Sequence, residues 1–289
     1  MTKMADNEIQ SALQLAKELA LRVGRRIREV VESGDRLNVS HKGISDIVTE
    51  IDIWSEEQII IAVRDQFPHH LVIGEETSTA LSQRTGKSLP QLIAENVCWI
   101  VDPLDGTTNF SNKIPHSAVS IGIAAFGKRL TGLVYDPFRD EMFEATTGKG
   151  AQKNGKAISV SNKTELVKSV AALGFPNDRW EHWEDYQATT IALVMSCRNV
   201  RVCGAAAIEI AWVGCGRFEA FFEYGIKPWD IAAASLVVEE AGGSARSFGN
   251  SGGEEFSLFA ESFLFCAPGV LGDLLEVIRT KKAKAPVKA

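Results

Sequence analysis

Residues 98–110 read Cys98-Trp99-Ile100-Val101-Asp102-Pro103-Leu104-Asp105-Gly106-Thr107-Thr108-Asn109-Phe110. The first half is a short apolar run, the pattern of a buried strand. Pro103 fixes its own φ and biases Asp102 away from helix. The strand is therefore expected to end at Asp102, with the carboxylates of Asp102 and Asp105 projecting just past it. Gly106 lets the backbone approach another group closely. Thr107 and Thr108 are good cap residues, so a helix or single turn is expected to start there. A helix start offers free N–H groups and a positive dipole end to an anion. One segment thus sets hard oxygen ligands beside a cradle for phosphate, the combination by which magnesium is commonly held. Asp-Pro and Asp-Gly are each ordinary turn dipeptides. The whole string is far more specific.

Outward from this stretch, the 289 residues are 45% hydrophobic, enough for one large core or two modest ones. Formal net charge is −6. No basic block suggests a nucleic-acid or membrane surface, apart from the lysine-rich last nine residues, which read as a solvated end. No apolar run approaches membrane-span length and the N-terminus is polar, so a cytoplasmic protein without signal peptide is expected. The five cysteines (98, 197, 203, 215 and 266) are scattered and never spaced Cys-x-x-Cys. They read as reduced core residues rather than zinc ligands or a disulfide frame. His69 and His70 follow Pro68 and read as a surface turn.

Ile9, Leu13, Ala16, Ala20, Val23, Ile27 and Val30 recur at helical spacing, predicting a long amphipathic helix stopped near Gly34. A second helix is expected to run to about Phe67. Leu71-Val72-Ile73 is a short strand ending at Gly74-Glu75-Glu76, and a short helix is possible near Leu89. Residues 118–126, 131–135 and 141–146 read as antiparallel strands. Beyond Asn154-Gly155, strands at 170–175, 200–203, 218–224 and 262–266 alternate with helices at 183–195, 205–213, 229–241 and 270–278. Alternation argues for an α/β second half, and the first half reads as α+β. The boundary is placed at 155/156, giving an N-terminal half 1–155 and a C-terminal half 156–289.

Asp-Pro-Leu-Asp-Gly-Thr-Thr-Asn-Phe resembles the signature of the inositol monophosphatase family of magnesium-dependent, lithium-sensitive sugar phosphatases. Gly74-Glu75-Glu76 and Lys227-Pro228-Trp229-Asp230 resemble two further motifs of that family, and the match runs from about Lys42 to Gly243. Alone, Glu75 would be a solvated turn residue and Asp230 an ordinary first-turn helix acid. The resemblance implies an α+β fold with an α/β second half, layered as an αβαβα sandwich of the inositol monophosphatase and fructose-1,6-bisphosphatase type. It implies two or three Mg2+ ions. Glu75, Asp102 and the Leu104 carbonyl would hold the first, Asp102, Asp105 and Asp230 the second, and a weaker third would sit near Glu75. Gly106, Thr107 and Thr108 would receive phosphate oxygens, and Asp52 with Thr107 would orient the attacking water. Glu75, Thr107 and Asp52 thus form the implied catalytic group. Lys42 matches a mobile-loop lysine.

Glu223 corresponds to a glutamate that binds ring hydroxyls, and Gly204-Ala205-Ala206 to a turn lining the substrate pocket. Lys227, where some members carry His, could pair with a second anionic group. The implied activity is hydrolysis of inositol 1-phosphate by metal-activated water, with a small-molecule sugar or polyol phosphate as partner and a homodimer as assembly. Nucleic acid and membrane are not expected as partners. The alternatives are fructose-1,6-bisphosphatase, histidinol-phosphate phosphatase, nucleotide bisphosphate phosphatase, or a non-catalytic member that binds a phosphorylated ligand. Thr108-Asn109-Phe110 favours the inositol branch.

Overall fold

The computed structural model describes residues 4–34, 37–41, 47–175, 183–248 and 255–284. Lys42, with Asp46, lies outside them. In the first part, the elements are α1 (Asp6–Ser33), β1 (Val39–His41), β2 (Ile47–Thr49), α2 (Glu50–Gln66), β3 (Leu71–Gly74), α3 (Ser78–Thr85), α4 (Leu89–Glu95) and β4 (Val97–Asp105). Then come α5 (Thr107–Ser111), β5 (Ala118–Ala125), β6 (Lys128–Asp136), β7 (Glu141–Thr146), β8 (Ala151–Lys153) and β9 (Lys156–Ala157). The remainder is β10 (Val170–Leu173), α6 (Trp183–Ser196), β11 (Asn199–Arg201), α7 (Ala206–Gly214), β12 (Ala220–Tyr224), α8 (Pro228–Glu240), β13 (Ser244–Phe248), β14 (Ser262–Cys266) and α9 (Pro268–Thr280).

Two large sheets carry the architecture. One runs in the order β3-β4-β5-β6-β7-β8-β9 and the other β11-β10-β12-β14-β13. β3 and β4 are parallel and the rest of the first sheet is antiparallel, whereas β10 pairs in parallel with both β11 and β12. Val23 and Ile27 of α1 and Ile59 and Val63 of α2 pack on Trp99, Val101, Ile121 and Leu133 of the first sheet. The opposite face of that sheet, through Val134 and Phe143, meets Ile208 of α7 and Ile231 and Val237 of α8. The same helices touch Phe221 and Phe263 of the second sheet. Its far face, with Leu173, Phe222 and Leu264, is covered by Leu193 of α6 and by Leu274 and Val277 of α9. The result is the five-layer αβαβα sandwich that the resemblance implied.

α8 lies unusually close to the first sheet. A Cβ at Gly122 would come within 2.9 Å of Ala232, and one at Gly132 within 2.7 Å of Ala233. Glycine facing alanine is what allows helix and sheet backbones to approach this far.

Three sequence expectations are corrected. β4 does not stop at Asp102 but continues to Asp105 through an irregularity between them. Pro103 is tolerated there because a bulge already interrupts the ladder. The helix after it is capped by Gly106, not by a threonine, and Thr107 is its first residue. His70 is not a surface residue. It stacks on Phe67 with ring centroids 4.8 Å apart and its Nδ1 accepts a 3.1 Å hydrogen bond from Trp99 Nε1.

Candidate active site

The bulge in β4 decides how the central motif presents its acids. Asp102 lies opposite Ser120 and Asp105 opposite Ala118, so three steps on one strand span two on the other. Residues three apart on a regular strand face opposite sides, and the extra residue brings both carboxylates to one side. Asp102 folds back to accept from the amide of Leu104 at 2.9 Å. Asp105 reaches across to the second half of the chain and accepts from the amides of Ala206 (3.1 Å) and Ala207 (2.7 Å). It thereby caps α7, satisfying donors that a helix start leaves unpaired. Asp230 stands in the first turn of α8 and accepts from the Lys227 amide at 2.9 Å. Ser120 donates to the Trp229 carbonyl at 3.0 Å, fixing that helix start beside Asp102.

The three aspartates lie within reach of one another's charge. Burial is the main force raising the carboxyl of each: Asp105 is pushed up to about 7, and Asp102 and Asp230 well above the usual carboxylate range. The charges of Glu75 and of the other aspartates add to this, and the amides on Asp105 pull it part of the way back. Burial and mutual repulsion therefore both oppose full ionisation of these acids in the absence of a cation. A set of hard carboxylate oxygens drawn together at such electrostatic cost suits a hard divalent cation, which removes the repulsion.

Around this cluster, Thr107 Oγ1 lies 2.9 Å from Asp52 Oδ1 and 3.2 Å from the Leu104 carbonyl. Asp52 in turn accepts from the Thr49 amide at 2.8 Å, closing a capping box at the start of α2. Burial raises its carboxyl, against the pull of hydrogen bonds from Thr49 and Thr107. Gly106 has φ +89°, and a Cβ there would meet Ala205 Cβ at 3.0 Å and the Gly204 carbonyl at 3.1 Å. The central motif and the Gly204-Ala205-Ala206 turn are therefore in direct contact. Glu223, in β12, is 8% exposed. Its carboxyl is pushed well up by burial and by the charges of Asp230, Glu209 and Asp105. Lys227 is exposed at the start of α8. The structure thus brings together Asp52, Glu75, Asp102, Leu104, Asp105, Thr107 and Asp230, with Glu223 and residues 204–206 alongside.

Four supporting residues escaped the sequence reading. Glu56 accepts from the amides of Glu76 (2.9 Å) and Thr77 (3.0 Å) and so shapes the turn that carries Glu75. It falls on the buried stripe Ile51, Ser55, Ile59 and Val63 of α2, so helical spacing alone could have found it. Glu209 accepts from the amides of Gly204 (3.0 Å) and Ala205 (3.1 Å), and a lone acid in the apolar run 206–213 was a readable signal. Asn109 donates to the carbonyls of His116 and Cys203, both at 2.8 Å, tying the two halves together. Gly174 is required because a Cβ would sit 1.9 Å from the Glu223 carboxylate. No sequence signal separates it from any other loop glycine.

A model of the inositol monophosphatase family matches residues 8–281. Among curated relatives, the Nus factor SuhB of Escherichia coli is 38% identical over 246 residues, covering 85% of this chain and 88% of that protein. Among solved structures, the extragenic suppressor protein suhB of Bartonella henselae superposes with TM-score 0.81 at 28% identity, covering 93% of this chain and 98% of that one. The inositol monophosphatase of Anabaena (Nostoc) superposes with TM-score 0.78 at 31% identity, covering 94% and 96%.

Proposed function

The chain belongs to the inositol monophosphatase family, and from that premise we propose that it is a magnesium-dependent phosphatase that hydrolyses inositol 1-phosphate. The observation that carries this reading is the gathering of buried Asp102 and Asp105 and half-buried Asp230 within one another's field and that of Glu75. Glu75, Asp102, the Leu104 carbonyl, Asp105 and Asp230 would hold two magnesium ions, with a third near Glu75. When bound, these ions supply Lewis acidity and cancel the charge gathered at the reacting phosphate.

The chain's own residues do the rest. Thr107 donates to Asp52 Oδ1, which leaves its oxygen lone pairs free to accept from an incoming water. Asp52, raised by burial, is placed to receive the proton that this water gives up. The amides of Gly106 and Thr107 and the Thr108 hydroxyl would take phosphate oxygens at the start of α5. No protein nucleophile is required, because phosphoryl transfer rests mainly on positioning and charge. Glu223 would accept from ring hydroxyls, residues 204–206 would line the pocket, and Lys227 would meet any second anionic group. Lys42, outside the described residues, keeps its implied place in a loop near the metals. In this reading residues 1–155 supply most metal ligands, and residues 156–289 supply Asp230 and the substrate contacts.

Family resemblance further implies a homodimer in the cytoplasm and inhibition by lithium. Ile191, Val194 and Met195 of α6 are about half or more exposed, an apolar strip compatible with a covered face. No described helix is long and apolar enough to cross a membrane. The name Nus factor belongs to the relatives, and the converged carboxylates favour phosphatase chemistry here.

The test is phosphate release from inositol 1-phosphate, fructose 1,6-bisphosphate, histidinol phosphate and a nucleotide bisphosphate, with magnesium and with EDTA. Fastest magnesium-dependent turnover of inositol 1-phosphate supports the full reading. Preference for another substrate moves the chain to that branch of the family. Turnover of none would leave a phospho-ligand-binding protein.

A further inference from the structure

Beside the carboxylate cluster lies a second group of ligand-type side chains with a different chemistry. A ring nitrogen of His116, the Cys203 sulfur and a carboxylate oxygen of Glu209 all lie within 4.8 Å of one another. His116 is 7% exposed, and its Nε2 is buried with no hydrogen-bond partner among the described residues. A buried polar atom left unpaired costs about 1–3 kcal/mol, so its retention calls for a reason. The ring is held in place by an edge contact with Trp212, centroids 5.3 Å apart. Burial, with Arg139 nearby, holds His116 down at about 4, so the imidazole keeps a lone pair at neutral pH. Glu209 gives one oxygen, Oε1, to the amides of Gly204 and Ala205, whereas Oε2 has a long 3.4 Å contact with the Cys203 amide. The Cys203 thiol, pushed up to about 12 by burial and by this carboxylate, hydrogen-bonds to Glu209, a proton that a cation would displace. A carboxylate has about four lone-pair sites, so Oε2 retains capacity for a cation.

We propose that His116, Cys203 and Glu209 form a second metal site, distinct from the magnesium cluster, that takes a zinc-class ion. One sulfur, one imidazole nitrogen and one carboxylate oxygen match the donor set of tetrahedral zinc with a fourth position open. The sulfur disfavours magnesium, which takes oxygen ligands. Zinc bonds of about 2.0–2.3 Å place ligand atoms roughly 3.3–3.8 Å apart, so the group need close by no more than about 1–1.5 Å. Cys203 can supply that movement because it is only half-buried, in the turn between β11 and α7. On coordination the sulfur–metal bond forms as the S–H bond breaks, and the proton leaves to solvent. The site adjoins the 204–206 turn through Glu209, so occupancy would pull on the wall of the substrate pocket.

The test uses the full chain, stripped of metal and then saturated with magnesium, titrated with cobalt(II) as a spectroscopic stand-in for zinc. The expected result is one equivalent bound with a thiolate-to-cobalt charge-transfer band that survives excess magnesium. Cys203→Ala should abolish the band, and His116→Gln should weaken cobalt binding at least about 10–100-fold. Absence of the band in the unmodified chain would overturn the proposal. So would an undiminished band in Cys203→Ala, or unchanged affinity in His116→Gln. These readouts are independent of phosphatase activity, so failure of the site and failure of the proposed function are distinguishable.

Discussion

Asp102 touches the chain at its own turn and faces Asp230, so its charge is the quantity that matters. Asp102→Asn preserves shape and removes that charge. Activity should fall by about a hundredfold or more, while the melting temperature in EDTA should stay level or rise as repulsion is relieved. Near-normal turnover would remove Asp102 from the site. Asp105 gives a pH signature. Its carboxyl sits at about 7 in the fold, above its ordinary 3.8. In that interval the native state binds more protons than the unfolded chain, so stability must fall as pH rises. The metal-free protein should therefore lose stability between about pH 4 and 7, and Asp105→Asn should flatten that slope. Scanning calorimetry across this range decides it, and an unchanged slope would refute the assignment. Glu223→Gln should cost inositol 1-phosphate about 1.5–3 kcal/mol in kcat/KM, the scale of a hydrogen bond to a charged group. A nitrophenyl phosphate should be spared. Equal loss on both would mean that Glu223 does not read the polyol.

At the scale of elements, α8 is set against the first sheet by Gly122 and Gly132. Gly132→Val should cost about 1–3 kcal/mol through overpacking. It should also depress turnover by on the order of 100-fold, because Asp230 rides on the first turn of the displaced helix. Unaltered kinetics in a destabilised variant would show that α8 shifts without carrying Asp230. This pairing of helix and sheet is invisible along the chain, since it depends on which glycine meets which alanine. The elements themselves were largely legible. The spacing from Ile9 to Val30 and the run 118–126 reproduce α1 and β5 closely. What was lost depended on partners distant in sequence. The two-residue β9 and the edge strand β13 have no periodicity to read, and the bulge in β4 needs Ser120 and Ala118 as its reference. His70 was misplaced for the same reason, because its partners Phe67 and Trp99 appear only on folding.

For the whole molecule, the residues before and after position 155 share an apolar core, and polar contacts join them at the site. Asp105 caps α7, Asn109 holds the 203–204 carbonyls and Ser120 holds Trp229. The acids of the candidate site were readable as motifs, but the hydrogen bonds that join residues before 155 to those after it were not. That Asp105 spends its lone pairs on amides about a hundred residues away is a fact of the fold alone. In solution the chain should have twice its single-chain mass by light scattering. Met195→Asp, on the exposed strip of α6, should shift it toward monomer. A monomeric parent chain would discard the dimer.

The Gly122–Ala232 and Gly132–Ala233 contacts also bear on how this chain could be re-tailored. They leave no spare volume, so any mutational library that reaches them will mostly yield inactive clones. Gly174, packed on Glu223, and the 204–206 turn, packed on Gly106, leave as little room. A search for new substrate range is best begun at Lys227, whose exposed side chain can be exchanged without displacing a packed neighbour.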